Sequence, residues 1–133
     1  MLKLEIVTPE RKVFDDAVDS VTVPTASGDA GILPNHAPLI SALRPGILSY
    51  SNKGTTSQMV VSGGFMEVSN NAVSVLTDTA ETADEIDADA ARADRDAAEK
   101  TMREYALAPV EDAEATRERL ESATARLQLI SGK

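Results

Sequence analysis

Residues 28–39 read GDAGILPNHAPL, and residues 43–46 a little further on read LRPG. The first of these segments holds two glycines, two prolines, an asparagine and the only histidine of the chain. Glycine permits positive φ and close backbone approach, whereas proline fixes φ and removes a hydrogen-bond donor. The stretch therefore predicts a loop of defined shape, and functional residues concentrate on loops that a rigid scaffold carries.

Short segments of alternating apolar and polar residues lie on both sides of this loop. Such alternation is typical of strands with one buried face. Many short strands divided by turn residues indicate an antiparallel sandwich or barrel. We therefore predict an antiparallel β-sandwich domain over residues 1–84. Its predicted strand segments are residues 2–6, 13–14, 20–23, 47–50, 58–62, 65–68 and 72–76.

Turn and breaker residues set the expected ends of these strands. Asp15–Asp16 is expected to break the second strand, and Pro24 to end the third, because proline cannot donate to a ladder. Residues 51–54 and 69–71 are predicted hairpin turns. The pair Gly63–Gly64 interrupts a strand and indicates a bulge or a place where another backbone comes close.

The composition changes after residue 84, where alanine, acidic residues and arginine dominate and only one proline and one glycine occur. This change predicts a second domain, a helical hairpin over residues 85–133. Its first helix should run from about Asp87 to Ala106 and stop before Pro109, because proline disfavours helix at the preceding residue. Asp87 and the Thr82–Glu85 pair are candidate caps for its start.

Each predicted helix has a narrow apolar face. The spacing of three and four residues along the second helix is that of a coiled-coil seam. Faces so rich in alanine bury little area, so we expect the hairpin either to lie on the sandwich or to move away towards a partner. The second-helix seam consists of Ala113, Thr116, Leu120, Ala123, Leu127 and Ile130. The weaker first-helix face consists of Ala91, Ala98, Met102 and Tyr105.

Charge and composition argue against several classes of partner. The net charge of −9 disfavours nucleic acid and anionic lipid surfaces. The chain has no cysteine, so neither a disulfide framework nor a thiolate metal site is expected. No apolar run reaches the roughly 18 residues that span a bilayer, and the N-terminus lacks a signal-peptide pattern. We therefore expect a soluble, cytosolic protein without direct membrane insertion.

Catalytic candidates are few. His36 is the only histidine, so we expect it to hold the loop through a structural hydrogen bond rather than to act as a base. The Gly28–Gly31 and Gly63–Gly64 pairs lack the lysine and hydroxyl residue of a phosphate-binding loop, and we interpret them as turn and bulge glycines. No carboxylate is predicted in an apolar pocket that would raise its pKa. No catalytic or metal-binding residue is predicted, which indicates a non-enzymatic protein.

Residues 28–46 resemble the G-x-x-G-I-L-P-x-H-A-P-L…L-x-P-G signature of the epsilon subunit of the F-type ATP synthase, called delta in mitochondria. Residues 61–68, VSGGFMEV, resemble the S-G-G-x-x-E-V strand of that family. Residues 71–81 resemble its N-x-V-x-V-L-x-D-x-A segment, and Leu4, Val7 and Pro9 fit its opening. The resemblance covers essentially the whole chain in the right order.

The resemblance implies a ten-stranded β-sandwich with a C-terminal helical hairpin, acting as a central-stalk rotor subunit of the proton-translocating enzyme. It implies binding to the gamma subunit and to the c-ring, on the cytoplasmic face of the energy-transducing membrane as a peripheral protein. Gly63 and Gly64 become candidates for contact with gamma. The residues implied to face the c-ring are Asp29, Ile32, Leu33, Asn35 and His36.

In relatives of this family the hairpin is either compact, or extended towards the alpha and beta subunits where it blocks ATP hydrolysis. Some relatives bind ATP through an [IL]-D-x-x-R-A motif, which residues 88–93 match except that the leading aliphatic residue is Ala88. The candidate ATP-binding residues are Asp89, Arg92 and Arg126. A further basic position of the relatives is Ser122 here, and losing a cation weakens phosphate binding. The resemblance therefore implies weak or absent ATP binding and no other cofactor.

Two alternatives stay open at this point. The chain could be a free-standing β-sandwich module whose hairpin docks on another protein, and Asp89 and Arg92 could simply be a helix cap and a solvated charge. A small enzyme is a third possibility, which the single histidine and the absence of cysteine disfavour.

Overall fold

The computed structural model describes residues 1–104 and 110–132, which form a two-sheet β-sandwich followed by a pair of helices. This confirms the predicted fold class. A 3₁₀ turn, Ala83–Glu85, joins the two parts, and the helices are α1 (Ala88–Glu104) and α2 (Val110–Gly132). The strands are β1 (Leu2–Val7), β2 (Lys12–Val18), β3 (Ser20–Thr25), β4 (Gly28–Ile32), β5 (Leu39–Ala42), β6 (Gly46–Asn52), β7 (Thr55–Ser62), β8 (Phe65–Ser69), β9 (Ala72–Leu76) and β10 (Thr79–Glu81).

The strands divide equally between two sheets. The first sheet has the order β2-β1-β9-β8-β5, and the second has the order β10-β7-β6-β3-β4. Strands β1 and β9 run parallel, with Leu4 opposite Val73, and the other strand pairs of the described residues are antiparallel, as predicted. A parallel pair requires a long connection, and the chain between these two strands builds seven further strands before it returns.

The core lies between the two sheets and is built from the alternating side chains that the sequence pattern predicts. On β1, Leu2, Leu4 and Ile6 are fully buried, while the intervening residues face outwards. The rings of Phe14 on β2 and Tyr50 on β6 lie 4.5 Å apart and join the two sheets at one side. Further buried core residues are Val18, Val21, Val23, Ile32, Leu43, Leu48, Met59, Val61, Met66, Val68, Val73, Val75 and Ala80.

Both predicted hairpin turns are confirmed, and each is a two-residue loop. Lys53 and Gly54 connect β6 to β7 with φ of 53° and 81°. Asn70 and Asn71 connect β8 to β9 with φ of 51° and 62°. Two consecutive residues at positive φ give the turn whose twist matches that of paired strands, and glycine and asparagine accept this conformation most easily.

Two expected strand breaks are wrong. Asp15 and Asp16 lie within β2, an edge strand, where Lys12 bonds the Asp15 carboxylate at 3.2 Å and lowers the pKa of that group. Pro24 lies within β3, which ends one residue later. Strand β3 pairs with β6 only as far as Thr22, so a residue without an N–H group is tolerated beyond that point.

Gly63 and Gly64 separate β7 from β8 and have φ of 62° and 104°. A Cβ on Gly64 would lie 1.9 Å from the carbonyl oxygen of Leu76 and 2.9 Å from Cα of Thr77. The predicted close approach of another backbone is therefore confirmed, but that backbone is the chain's own segment after β9. The Leu43 N–H donates to the Gly64 carbonyl at 2.9 Å, and the glycine pair is the connection between the two sheets rather than a bulge within one strand.

The start of the helical hairpin is capped as the sequence predicts. The Ala90 N–H donates to the Asp87 carboxylate at 3.1 Å, which makes Asp87 the N-cap of α1. Glu85 instead accepts from the Thr82 N–H at 2.9 Å and belongs to the 3₁₀ turn; this hydrogen bond lowers the pKa of Glu85. The predicted helix end at Ala106 and the face residue Tyr105 lie outside the described residues.

The two helices pack through small residues. Ala91 and Ala98 of α1 and Ala113 and Ala123 of α2 are buried, which confirms the predicted seam at these positions. The larger members of the two faces are only half-buried. These are Met102, Thr116, Leu120, Leu127 and Ile130. None of the described helices is long and apolar enough to cross a membrane.

Helix α2 lies against β6 and β7 on the outer face of the second sheet. Val60 shows this cover: it is fully buried, although its neighbours Met59 and Val61 are the ones that point into the core. By the alternation of strand side chains, Val60 points to the outer face, where Ala125 of α2 lines the cleft together with Ile47, the register partner of Val60. Of the two arrangements expected for the hairpin, the structure therefore has the one docked on the sandwich.

We expect Gly64→Ala to lower the free energy of unfolding by about 3 kcal/mol or more, because a Cβ would clash with backbone at a positive φ. The matched control is Gly31→Ala, where a Cβ would meet nothing within 4 Å. That control should change stability by no more than about 0.5 kcal/mol. Urea unfolding followed by circular dichroism measures both, and equal midpoints for the two variants would contradict the prediction.

Candidate functional site

The shaped loop is shorter than the sequence predicts. Residues 28–32 form β4, with Ala30 and Ile32 facing the core and Asp29 and Gly31 facing outwards. Glycine and alanine conceal this alternation because they carry little side chain to read. The loop proper comprises residues 33–38, and we call it the apex loop.

The apex loop is held by side chains from a distant part of the chain. The Asn35 N–H, at a residue with φ of 67°, donates to Oδ1 of Asn71 at 2.8 Å. Nδ2 of Asn71 donates to the carbonyl oxygen of Met1 at 2.7 Å. One asparagine of the β8–β9 turn thus connects the apex loop to the N-terminus through two hydrogen bonds.

His36 stabilises the apex loop locally, as expected. Its Nδ1 lies 2.7 Å from the carbonyl oxygen of Ala37, and because a carbonyl only accepts, Nδ1 carries the hydrogen. The His36 N–H donates to the carbonyl of Leu33 at 3.2 Å, which closes a turn. The imidazole is therefore engaged in shaping the loop.

The structure separates the five residues that the resemblance assigns to the c-ring. Leu33 is 63% exposed and shares the apex loop with Asn35 and His36. Ile32 is 1% exposed and belongs to the core, so its side chain is enclosed by the chain itself. Asp29 lies near the opposite end of β4, where its carboxylate is 3.4 Å from the Arg44 guanidinium. Three of the five residues therefore form one surface.

Asp29 and Arg44 face a cleft of about 570 Å³ between the outer face of the second sheet and α2. The Arg44 guanidinium also donates to the carbonyl of Thr25 at 3.1 Å. The hairpin side of this cleft is formed by α2 residues, among them Glu121 and Gln128. The cleft follows from the docked position of the hairpin.

An exposed apolar surface lies on the outer face of the first sheet. Ile40, Phe65 and Leu76 are 71%, 60% and 56% exposed, and they come from the neighbouring strands β5, β8 and β9. Phe65 is directly opposite Leu76 in the strand register. We call these three residues the apolar patch. The sequence pattern could have indicated this patch, because Phe65 and Leu76 occupy outward-facing strand positions where polar residues are usual.

Each of the candidate ATP-binding residues is in an ion pair in the docked hairpin. The Arg92 guanidinium pairs with the Asp89 carboxylate one helical turn away, and the Asp89 side chain is almost fully exposed. Arg92 also lines a groove between the helices with Arg95 and Leu127. Arg126 bonds Glu81 of β10 instead, with Nε 2.6 Å from Oε1.

Within residues 1–104 and 110–132, no group of three or more histidine, aspartate or glutamate side chains is arranged to hold a metal ion. Besides Asp15 and Glu85, the pKa of Lys12 is shifted, and its hydrogen bonds to Glu5 and Asp15 raise it. All three groups lie at the protein surface, in ion pairs or a turn cap. The fold and its surfaces are those of a protein-interaction module: a β-sandwich with an apolar patch on one face and a helical hairpin on the other.

Comparison with known proteins identifies the family. Residues 1–83 match the family described as the ATP synthase delta/epsilon chain, beta-sandwich domain. The ATP synthase epsilon chain of Herpetosiphon aurantiacus is 46% identical over 128 residues, which is 96% of this chain and 93% of that relative. The epsilon chain of Desulforamulus reducens is 49% identical over 100 residues, 75% of this chain and 76% of the relative.

Comparison with solved structures also gives chains of ATP synthases. A chain of the Euglena gracilis mitochondrial ATP synthase has a TM-score of 0.77 at 25% identity and covers 96% of this chain and 79% of its own length. A chain of the Tetrahymena thermophila mitochondrial ATP synthase has a TM-score of 0.65 at 15% identity, and the match covers 98% of this chain and 96% of that one. At this identity the likeness supports the fold alone. The chain belongs to the delta/epsilon chain family of the ATP synthase. This confirms the resemblance and the expectation of a non-catalytic subunit.

Proposed function

We propose that the chain is a rotor subunit of the central stalk of an F-type ATP synthase, where it links the gamma subunit to the c-ring. The observation that carries this proposal is the match to an epsilon chain over 128 residues, which spans both the sandwich and the hairpin. The Tetrahymena structure contains the central stalk and c-ring, and the Euglena structure contains the c-ring. Transmission of torque requires a stiff interface and no reacting group, which suits this architecture.

The apex loop is the proposed contact with the c-ring. Leu33, Asn35 and His36 lie together there, and the hydrogen bond from Asn35 to Asn71 holds the loop to the sandwich. The enclosed side chain of Ile32 supports the loop from within the core. A loop fixed in this way transmits a load without changing shape. Contact with the ring would place the chain on the cytoplasmic face of the energy-transducing membrane as a peripheral protein.

The apolar patch is the proposed contact with the gamma subunit. Covering large exposed apolar side chains is favourable, by about 1.5–3 kcal/mol for each side chain that becomes fully buried. Gly63 and Gly64, the candidates for contact with gamma, directly precede Phe65 of the patch. The patch lies on the first sheet and the hairpin on the second, so the patch stays accessible while the hairpin is docked.

The hairpin is the proposed regulator of ATP hydrolysis. The core of the sandwich is closed by its own strands, so the hairpin can leave without opening it. Released from the outer face of the second sheet, the helices would extend along gamma towards the alpha and beta subunits and block hydrolysis. The narrow alanine seam between the helices is consistent with a weakly held element.

ATP is proposed to bind weakly or not at all. Arg126 is held by Glu81 in the docked hairpin, and Arg92 is paired with Asp89. A phosphate would have to displace both carboxylates, and Ser122 supplies no replacement cation. We propose no other cofactor.

The contact with gamma is tested by Phe65→Glu in the chain produced together with the remaining ATP synthase subunits. A charge in the centre of an apolar interface must be desolvated, so we expect the amount of gamma recovered with the chain to fall at least tenfold. Thr56→Glu, an exposed change on β7, is the matched control and should leave recovery unchanged. Recovery of the wild-type chain without any ATP synthase subunit would refute the rotor function and favour a free-standing interaction module.

Regulation is tested by removing residues 85–133. We expect ATP synthesis to persist, because the proposed contacts with gamma and the c-ring lie in the sandwich, and ATP hydrolysis to rise. Both rates are measured in membrane vesicles, and circular dichroism of the shortened chain checks that the sandwich remains folded. Unchanged hydrolysis would contradict an inhibitory hairpin.

Calorimetric titration with ATP tests the nucleotide proposal. We expect negligible heats for the wild-type chain and for Arg92→Ala, because the arginines are already paired with carboxylates. Arg103→Ala, an exposed position in the last turn of α1, is the control for loss of one positive charge. A saturable heat in the wild type that only Arg92→Ala abolishes would show a real ATP site.

A further inference from the structure

One ion pair connects the sandwich directly to the hairpin in a shielded position. Nε of Arg126 on α2 lies 2.6 Å from Oε1 of Glu81 on β10. The two side chains are 24% and 28% exposed, so this is the most shielded ion pair within the described residues. Shielding matters because a pair in full contact with water contributes only about 0–1 kcal/mol, whereas screening weakens as water is excluded.

The pair lies beside the apolar contact between α2 and the second sheet. Glu81 is directly opposite Val60 in the strand register, so the two side chains share the outer face. Val60 is the fully buried residue that α2 covers, and Arg126 follows the buried Ala125 along the helix. The ion pair therefore closes one side of a small apolar contact.

The same arginine also reaches the first helix of the hairpin. Nη1 of Arg126 is 3.9 Å from Oδ2 of Asp94 on α1, and Oδ1 of Asp94 accepts from Arg119 of α2 at 3.2 Å. Glu81, Arg126, Asp94 and Arg119 thus form a chain of alternating charge through β10, α2 and α1. We call these four residues the clasp.

We propose that the clasp is the device that keeps the hairpin on the sandwich, and that breaking the Glu81–Arg126 pair releases the hairpin. Replacing Arg126 by a neutral residue leaves the Glu81 carboxylate shielded and unpaired in the docked state. In the released state Glu81 is hydrated, so the substitution acts selectively against docking. The regulatory consequence of release rests on the proposed function. The equilibrium between docked and released hairpin can be measured in the isolated chain.

The absence of cysteine from the sequence permits a direct measurement. Cysteines placed at Gln58 on β7 and Gln128 on α2 carry spin labels on the two walls of the cleft under the hairpin. Pulsed electron paramagnetic resonance then gives the populations at short and long label separation. We expect Arg126→Gln to raise the ratio of released to docked chains about tenfold, which corresponds to about 1.4 kcal/mol.

Arg117→Gln is the matched control. It removes the same charge from the same helix, but Arg117 pairs with Glu114 of that helix, at 3.2 Å, and not with the sandwich. Its distance distribution should be that of the wild type. If Arg126→Gln gives the same label distance distribution as Arg117→Gln, the proposal that the clasp holds the hairpin is wrong.

A second variant guards against an indirect effect of losing the arginine. Glu81→Gln should release the hairpin to a similar extent, and the double variant should release it no further than either single change, because all three remove one interaction. Additive effects in the double variant would contradict the proposal that the Glu81–Arg126 pair holds the hairpin on the sandwich. Circular dichroism on each variant confirms that the helices remain formed.

The hydrolysis rate of the assembled ATP synthase separates this inference from the proposed function. Release of the hairpin in the isolated Arg126→Gln chain supports the clasp whatever the hydrolysis rate. Release together with wild-type hydrolysis in the assembled enzyme would contradict the proposed regulation alone. An unchanged label separation would overturn the clasp even if hydrolysis changed.

Discussion

The structure depends on one constraint: the two sheets bury each other's inward side chains without help from the helices. Every strand of the first sheet except the edges pairs on both sides, and its core residues alternate with outward ones. The absence of a side chain at Gly64 lets the segment after β9 pass within contact distance, and this segment leads from the first sheet to β10 of the second. A core that is complete in itself leaves both outer faces available for other contacts.

The two outer faces differ in chemistry. The first sheet presents the apolar patch of Ile40, Phe65 and Leu76, which nothing in the described part of the chain covers. The second sheet is covered by α2, which buries Val60 and encloses the cleft beside Arg44. Because the faces are opposite, occupation of one does not obstruct the other. A stalk protein can therefore keep a permanent contact through the sandwich while its hairpin changes position.

The sequence predicts those features that depend on neighbouring residues. Asn70–Asn71 and Lys53–Gly54 determine their turns through backbone preference alone, and Asp87 caps the helix that follows it. Strand β4 was missed because glycine and alanine obscure the alternation of its faces, and β1 pairs with β9 through a register that spacing cannot reveal. The site was harder still: the enclosure of Ile32, the tie from Asn71 to Asn35 and the Glu81–Arg126 pair all join residues far apart in sequence.

A hairpin that changes position requires two states of similar free energy, because a partner can shift only an equilibrium whose gap is a few kcal/mol. The contact between α2 and the sheet buries the small residues Val60 and Ala125 but leaves Ile47 and Leu120 half-buried, so the docked state has little buried apolar area to lose. The remaining attraction comes from charged side chains, and these regain water on release, so their net contribution to docking is modest. Larger apolar residues at Ala123 or Ala125 would bury more surface, but they would also fix the hairpin in one position. Because the residues at this interface are small, the free energies of the docked and released states lie close together. A single ion pair, Glu81–Arg126, is then enough to shift the equilibrium between them.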